Sequence, residues 1–330
     1  MVVKLKHVSK KILRNWRLKA LVIAIVLAGF GAGVLVSNYL DNKRSTDLQN
    51  QYNLLSRRIL IDNPNDVLID FRSLQNEYRA YLQRNNLDDK VSIYFEYLPT
   101  GSSIGIHESK ESLGASLLKL PLAISFYKLV EEGKLSLDTT VPLKKEWLNS
   151  SYGSLYQKGE GYQISYREAI KYALEQSDNT AALTIFDAVS TAQGTKTPNV
   201  MGFVDANYAT TPSEEILIGV QSYTSILKCL YFSCYLNRDD SQDVLRQLTH
   251  SEADNRLTLY TPSDLKVAHK IGTYQTLNQS DCGIFYVPKR NYALCVMVQE
   301  EDPAASRVIG DLSLMTYQYL APDTDSTAGE

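Results

Sequence analysis

The chain has 330 residues, 44% of them apolar and 22% charged, which is enough for one large or two modest domains of ordinary globular composition. Its net charge of −3 conceals an asymmetry: residues 1–19 hold seven Lys/Arg and no acid, whereas the rest carries 27 Lys/Arg against 37 Asp/Glu, a net of −10. A mildly acidic body offers no basic face to a phosphate backbone, which argues against nucleic acid as a partner.

After the basic segment comes an uncharged apolar run from Ala20 to Val36, extendable to Leu40. A bilayer-spanning helix needs about 20 such residues. Lys and Arg on the N-terminal side predict that this side stays in the cytoplasm and the remainder is exported. A cleaved signal peptide is the competing reading, with Gly31-Ala32-Gly33 as the small-residue site. The long basic region, and an apolar run that continues past those glycines, favour an uncleaved membrane anchor over residues 20–40. Residues 41–65 are polar and read as a linker, and residues 66–320 as the functional domain, ending in a disordered tail over 321–330.

Val67, Leu68, Phe71, Leu74, Tyr78 and Leu82 fall at helical spacing and predict an amphipathic helix from Asp66 to Asn85. Val91 to Leu98 alternates like a strand, and Pro99-Thr100-Gly101 turns it into a second strand from Ser103 to His107. Further helices are expected at 116–132, 166–176, 179–189, 213–236 and 241–249, and strands at 267–275, 281–287 and 292–299. Asp302-Pro303 then caps a last helix running to Leu320. No internal repeat is present. The order predicts an α+β domain: one sheet assembled from both ends of the chain, with the middle helices as a separate lobe and a cleft between them.

Four cysteines are too few for a disulfide scaffold and lack zinc-site spacing, so all four are read as structural. Cys282 and Cys295 flank a turn at Pro288-Lys289-Arg290-Asn291 and are expected on facing strands; Cys229 and Cys234, five apart in a helical stretch, read as poor disulfide partners. His7, His107, His250 and His269 are scattered, so no metal or other cofactor is indicated.

Ser116-Leu117-Leu118-Lys119 places a hydroxyl and an amine three residues apart at the start of a helix, on one face. A lysine whose pKa is lowered by burial can take the hydroxyl proton. The pattern alone does not single out Ser116, because Ser125, Ser225 and Ser263 also begin Ser-x-x-Lys matches. Ser177-Asp178-Asn179 follows a helical stretch; the tripeptide could present a hydroxyl and an amide to a substrate, or simply cap the next helix. Lys270-Ile271-Gly272-Thr273 lies on a strand, where the Gly marks a close backbone approach, the Lys could hold a carboxylate and the Thr N–H could stabilise an oxyanion. An edge strand with a solvated Lys is the plainer reading.

Together and in this order, with 61 residues from Ser116 to Ser177 and 93 from Ser177 to Lys270, the three groups resemble the motif set of class A β-lactamases and penicillin-binding proteins. The resemblance covers residues 66–320 and implies the β-lactamase/transpeptidase-like fold, an antiparallel sheet flanked by N- and C-terminal helices. It further implies that Ser116 attacks a carbonyl, Lys119 accepts its proton and Ser177 relays it to the leaving amine. Asn179 would bind the substrate side chain, and Lys270 with Gly272 and Thr273 would hold the substrate carboxylate. The oxyanion hole would be the N–H groups of Ser116 and Thr273. The implied partner is a β-lactam or a peptidoglycan-type peptide.

Two departures stand out. Ile271 occupies a position where the family carries a hydroxyl. Between Thr180 and Ala209 there is no Glu-x-x-Leu-Asn pattern to supply a deacylating base, and the only acids there are Asp187, which reads as a solvated face, and Asp205. Loss of a general base costs about 10² to 10⁴ in rate. The expectation is therefore an acyl-enzyme hydrolase or acyltransferase of penicillin-binding character. The alternatives are a β-lactamase with an unusual deacylation route and a catalytically weak wall-binding module.

Overall fold

The computed structural model describes residues 29–41, 43–44, 46–47, 50–56, 69–194, 216–275 and 278–321. The chain divides into two units, Met1–Asn53 and Leu54–Glu330. In the first, residues 29–41 are helical, with Phe30, Leu35 and Tyr39 exposed. Among the described residues no helix is long and apolar enough to cross a membrane. Residues 20–28 of the expected anchor lie outside the described residues, as do 57–65 of the expected linker and 322–330 of the expected tail. The described linker residues 43–44, 46–47 and 50–51 are helical.

The second unit begins inside that expected linker. Leu54 and Leu55 are buried, the Leu54 N–H donates to Gln242 Oε1, and the Ser56 N–H donates to the Tyr231 carbonyl. Helix α1 spans Arg72–Arg84; residues 66–68 of the expected helix lie outside the described residues, and 69–71 precede its first turn, where the Asp70 carboxylate accepts the Arg72 N–H. Strands β1 (Val91–Tyr97) and β2 (Ser102–Ile106) form the expected hairpin. A three-residue strand β3 (Glu111–Leu113) leads into a 3₁₀ turn, Ala115–Leu118, and then α2, Lys119–Glu131. The hairpin strands β4 (Thr140–Pro142) and β5 (Gln163–Ser165) precede α3, Tyr166–Glu175, which opens with a Ser165/Glu168 capping box. Next come α4 (Asn179–Gln193), β6 (Leu217–Gly219), α5 (Val220–Tyr231) and α6 (Arg238–Leu248). Strands β7 (Val267–Tyr274), β8 (Asn278–Phe285) and β9 (Tyr292–Val298) and helix α7 (Ala304–Leu320) complete the unit.

The main sheet runs β2–β1–β9–β8–β7, antiparallel throughout, so the two ends of the chain meet at the β1–β9 pair as expected. On one face, α1 lays Leu74, Tyr78 and Leu82 at i, i+4 and i+8 against Ile93, Phe95 and Val296, with Ile309 and Leu312 of α7 beside them. Each fully buried side chain of this size contributes about 1.5–3 kcal/mol. As the sequence predicted, Asp302 caps α7, accepting from the Ser306 N–H and hydroxyl. The opposite face carries α5, and β7 at the sheet edge meets the 3₁₀ turn and α6.

Two expectations need correction. The helix expected over 213–236 is, in its described part, the strand β6 followed by α5: residues 217–219 pair with β3, and the helix stops at Tyr231. That early stop makes the second correction. Ser233 adopts a φ of 50°, the chain folds back, and Cys229 and Cys234 form a disulfide with a Cα separation of 5.1 Å. A continuous helix would have kept them apart. Cys282 and Cys295 sit directly opposite on β8 and β9, as expected, and are also bonded.

Candidate active site

The first group is built by a sharp turn. Gly114 holds the Ile216 carbonyl through its N–H, and Ala115 follows with a φ of 44°, a conformation that L side chains adopt at a cost of about 1–3 kcal/mol. The 3₁₀ geometry that follows nearly eclipses residues i and i+3. Ser116 Oγ and Lys119 Nζ therefore lie 3.0 Å apart, with Ser116 half-buried and Lys119 buried. The other matches to the pattern look different. Lys128 and Lys228 are engaged by Glu131 and Glu96, Ser125 is buried, Ser225 bonds the Gln221 carbonyl and Ser263 is exposed.

The second group combines both readings of the tripeptide. Asp178 is the cap: its carboxylate accepts the N–H groups of Ala181 at 2.9 Å and Leu155 at 2.8 Å and is fully buried. Gly153 makes this possible, since a Cβ there would sit 2.1 Å from Asp178 Oδ2. With Asp178 turned inward, its neighbours face the cleft. Lys119 Nζ donates to the Ser177 carbonyl and to Asn179 Oδ1 at 2.7 Å, and lies 3.3 Å from Ser177 Oγ.

In the third group, Lys270 is 1% exposed, so the solvated-Lys reading does not hold. Its Nζ donates to Ser177 Oγ at 2.8 Å and to the Ile271 carbonyl at 3.2 Å. Gly272 is required by contact: a Cβ would meet Ser280 Oγ at 2.4 Å and Leu117 Cγ at 2.9 Å. The strand can thus lie directly against the turn that carries Ser116. Thr273 is exposed at the cleft, where its hydroxyl accepts from Arg256 at 2.8 Å.

Neither ammonium has a carboxylate partner in its hydrogen-bond set. Burial lowers Lys119 from the usual lysine value to about 7, opposed by the charge of Asp178. Burial, followed by the charge of Lys119, holds Lys270 well below the usual lysine range. An amine at about 7 is matched to taking a proton near neutrality. A cleft of about 640 Å³ is lined by Ser116, Lys119, Ser177, Asn179 and, of the third group, Ile271 and Thr273, together with Asn149, Tyr152, Leu122 and Phe186; Lys270 and Gly272 are buried and do not line it. No carboxylate lines it among the described residues. Asp187 pairs with Lys144 on the exposed surface, and Asp205 lies outside the described residues.

The profile of the beta-lactamase enzyme family matches residues 73–320. The chain belongs to that family. It is a serine hydrolase of the class A type. No curated protein sequence matches it. Among solved structures, PBP-A is 20% identical with a TM-score of 0.66, covering 75% of this chain and 95% of its own. A β-lactamase from Sphaerobacter thermophilus DSM 20745 is 18% identical with a TM-score of 0.64, covering 76% and 97%. The TLA-3 extended-spectrum β-lactamase is 20% identical with a TM-score of 0.66, covering 77% and 100%. The shared property is the β-lactamase/transpeptidase-like fold.

Two functional positions of this β-lactamase-family site carry no motif in the sequence. Arg256 is buried in the loop before β7 and donates to the carbonyls of Gly272 and Ser280, both at 2.8 Å, besides Thr273. It fixes the end of β7 and sets a cation beside Thr273. Asn149, in the loop over the second group, accepts from Asn179 Nδ2 at 3.3 Å. Neither lies in a periodic stretch, and a lone Arg or Asn in a loop is ordinary.

Proposed function

We propose that the chain forms an acyl-enzyme on Ser116 with β-lactams or cell-wall peptides, penicillin-binding in character, with slow deacylation. The carrying observation is the 3.0 Å contact between Ser116 Oγ and a lysine lowered to about 7. Neutral Lys119 takes the Ser116 proton as Oγ bonds to the substrate carbonyl carbon. The Ser116 and Thr273 N–H groups receive the oxyanion. The carbon–nitrogen bond then breaks, and the leaving nitrogen takes a proton from Ser177, which regains one from Lys119, so that the proton taken from Ser116 ends on the leaving nitrogen and Lys119 is neutral again. Asn179 binds the acyl side chain. Thr273, backed by the buried Lys270, binds the substrate carboxylate, and Arg256, paired with Asp302 at 3.3 Å, lies beside Thr273 on the side where Ile271 offers no hydroxyl.

A point variant of PBP-A captured as its acyl-enzyme with penicillin G, 21% identical with a TM-score of 0.66, supports this choice of probe. Slow deacylation is supported by the lack of a carboxylate among the described cleft residues. Export and anchoring through residues 20–40 are supported by the basic-then-apolar N-terminus, by apolar side chains exposed on helix 29–41, and by two disulfides, which persist in oxidising compartments. Protease added to intact cells should remove the domain if it is exported; protection until lysis would refute that location.

Fluorescent penicillin should label the protein stoichiometrically and persistently, and Ser116→Ala should abolish the label. Rapid nitrocefin turnover would instead support the β-lactamase reading. Absence of labelling in a folded protein would support the binding-module reading.

A further inference from the structure

We propose that Asn149 is a positioning residue: it fixes which end of the Asn179 amide faces Lys119, and so the direction of the hydrogen bond between Lys119 and Ser116. This rests on the reading of Ser116 as nucleophile.

A side-chain amide has two nearly isosteric ends, one accepting and one donating. At Asn149 the choice is forced, because the Ser151 N–H lies 2.9 Å from the side chain and only an oxygen can meet it. That same Oδ1 faces Asn179, which must therefore present Nδ2, at 3.3 Å. The opposite end of Asn179, its Oδ1, then points at Lys119 Nζ at 2.7 Å. The Ser177 carbonyl, also an acceptor only, meets Nζ as well. A neutral amine has two N–H groups and one lone pair. The two oxygens take both N–H groups, and the lone pair is left for the Ser116 hydroxyl at 3.0 Å. Ser177 Oγ accepts from Lys270 at 2.8 Å, and at 3.3 Å from Nζ its hydroxyl is a weaker claimant on that lone pair than Ser116 at 3.0 Å. Were the Asn179 amide reversed, its NH₂ would claim the lone pair and Ser116 would lose its base.

The loop is built to hold this polarity. The Asn149 N–H donates to Thr180 Oγ1 at 2.9 Å, that hydroxyl donates back to the Asn149 carbonyl at 3.3 Å, and the Asn179 N–H donates to the Tyr152 carbonyl at 3.1 Å. The loop and the first turn of α4 therefore move as one piece. A single backbone N–H, that of Ser151, sets the sense of the bonds that run through the two amides to Lys119.

The test titrates Lys119 in the full-length protein by NMR of isotope-labelled lysine side chains, with fluorescent-penicillin acylation followed alongside. Asn149→Ala frees the amide and removes a fixed acceptor from the ammonium, so the Lys119 midpoint falls and acylation slows about ten-fold. Asn149→Asp keeps the acceptor and adds negative charge, so the midpoint rises by about one unit and acylation recovers at higher pH. Should Asn149→Ala fail to fold, as read by circular dichroism, the apolar Asn149→Leu takes its place with the same expected fall. A Lys119 midpoint unchanged in the folded apolar variant would overturn the proposal. Shifted midpoints without any penicillin labelling would uphold the positioning role and reject the acyl-enzyme reading.

Discussion

The turn at Ser116–Lys119 and the helical stretch at Ser225–Lys228 share one four-residue pattern and behave as opposites. Lys228 donates to both Glu96 oxygens, at 2.9 and 3.1 Å, and its side chain remains 37% exposed. Its Ser225 hydroxyl is absorbed by the Gln221 carbonyl one turn earlier. Lys119 is buried with neutral partners only, and its Ser116 hydroxyl opens into a cleft. A carboxylate makes Lys228 a structural cation; burial among neutral oxygens instead lowers Lys119 to about 7, the value that suits a base near neutrality. Spacing brings the two groups together, and the third partner decides their chemistry.

This contrast can be broken from the reactive side. Lys119→Met removes the base and should slow penicillin acylation by about 10² to 10⁴, measured by stopped-flow labelling. Asn179→Asp gives Lys119 the carboxylate that Lys228 has. The Lys119 midpoint should rise by about 1–3 units, so that labelling at pH 7 falls and recovers in alkali. In the unsubstituted protein, acylation should increase as pH rises through about 7, because protonated Lys119 cannot accept a second proton. A flat profile from pH 5 to 9 would remove Lys119 as the base. Gly272→Ala pushes β7 off the Ser116 turn; it should destabilise by about 1–3 kcal/mol in urea melts and lower labelling. The smallest effect belongs to the structural pair. Glu96→Gln should cost about 1–2 kcal/mol and leave the labelling rate unchanged, since Lys228 can turn to water.

Much of this was legible in the sequence because periodicity and motif order report it directly. The β1–β2 hairpin, the strands β7 to β9 and the last helix are long, regular and bounded by turn residues. Ser116, Lys119, Ser177, Asn179 and Lys270 stand out through the resemblance of their motifs, taken in order, to the family's set, and the structure brings them within hydrogen-bond reach. What escaped lacks period or length. The strands β3 and β6 have three residues each, too few for alternation to register. The Cys229–Cys234 disulfide depends on a helix stopping at Tyr231, where no Gly or Pro announces it. Arg256 and Asn149 act through backbone carbonyls and a neighbouring amide, partners that leave no mark on the residues around them.

The pairing of β1 with β9 has a consequence for biosynthesis. A ribosome makes Ser116 and Lys119 early, but Lys270 and the strand that completes the sheet come from the last quarter of the message. Until β9 slots in beside β1, the three strands β7 to β9 that carry Lys270 are not joined to β1 and β2. On the proposed mechanism, Ser116 therefore has its full set of partners only once the far end of the chain has been delivered.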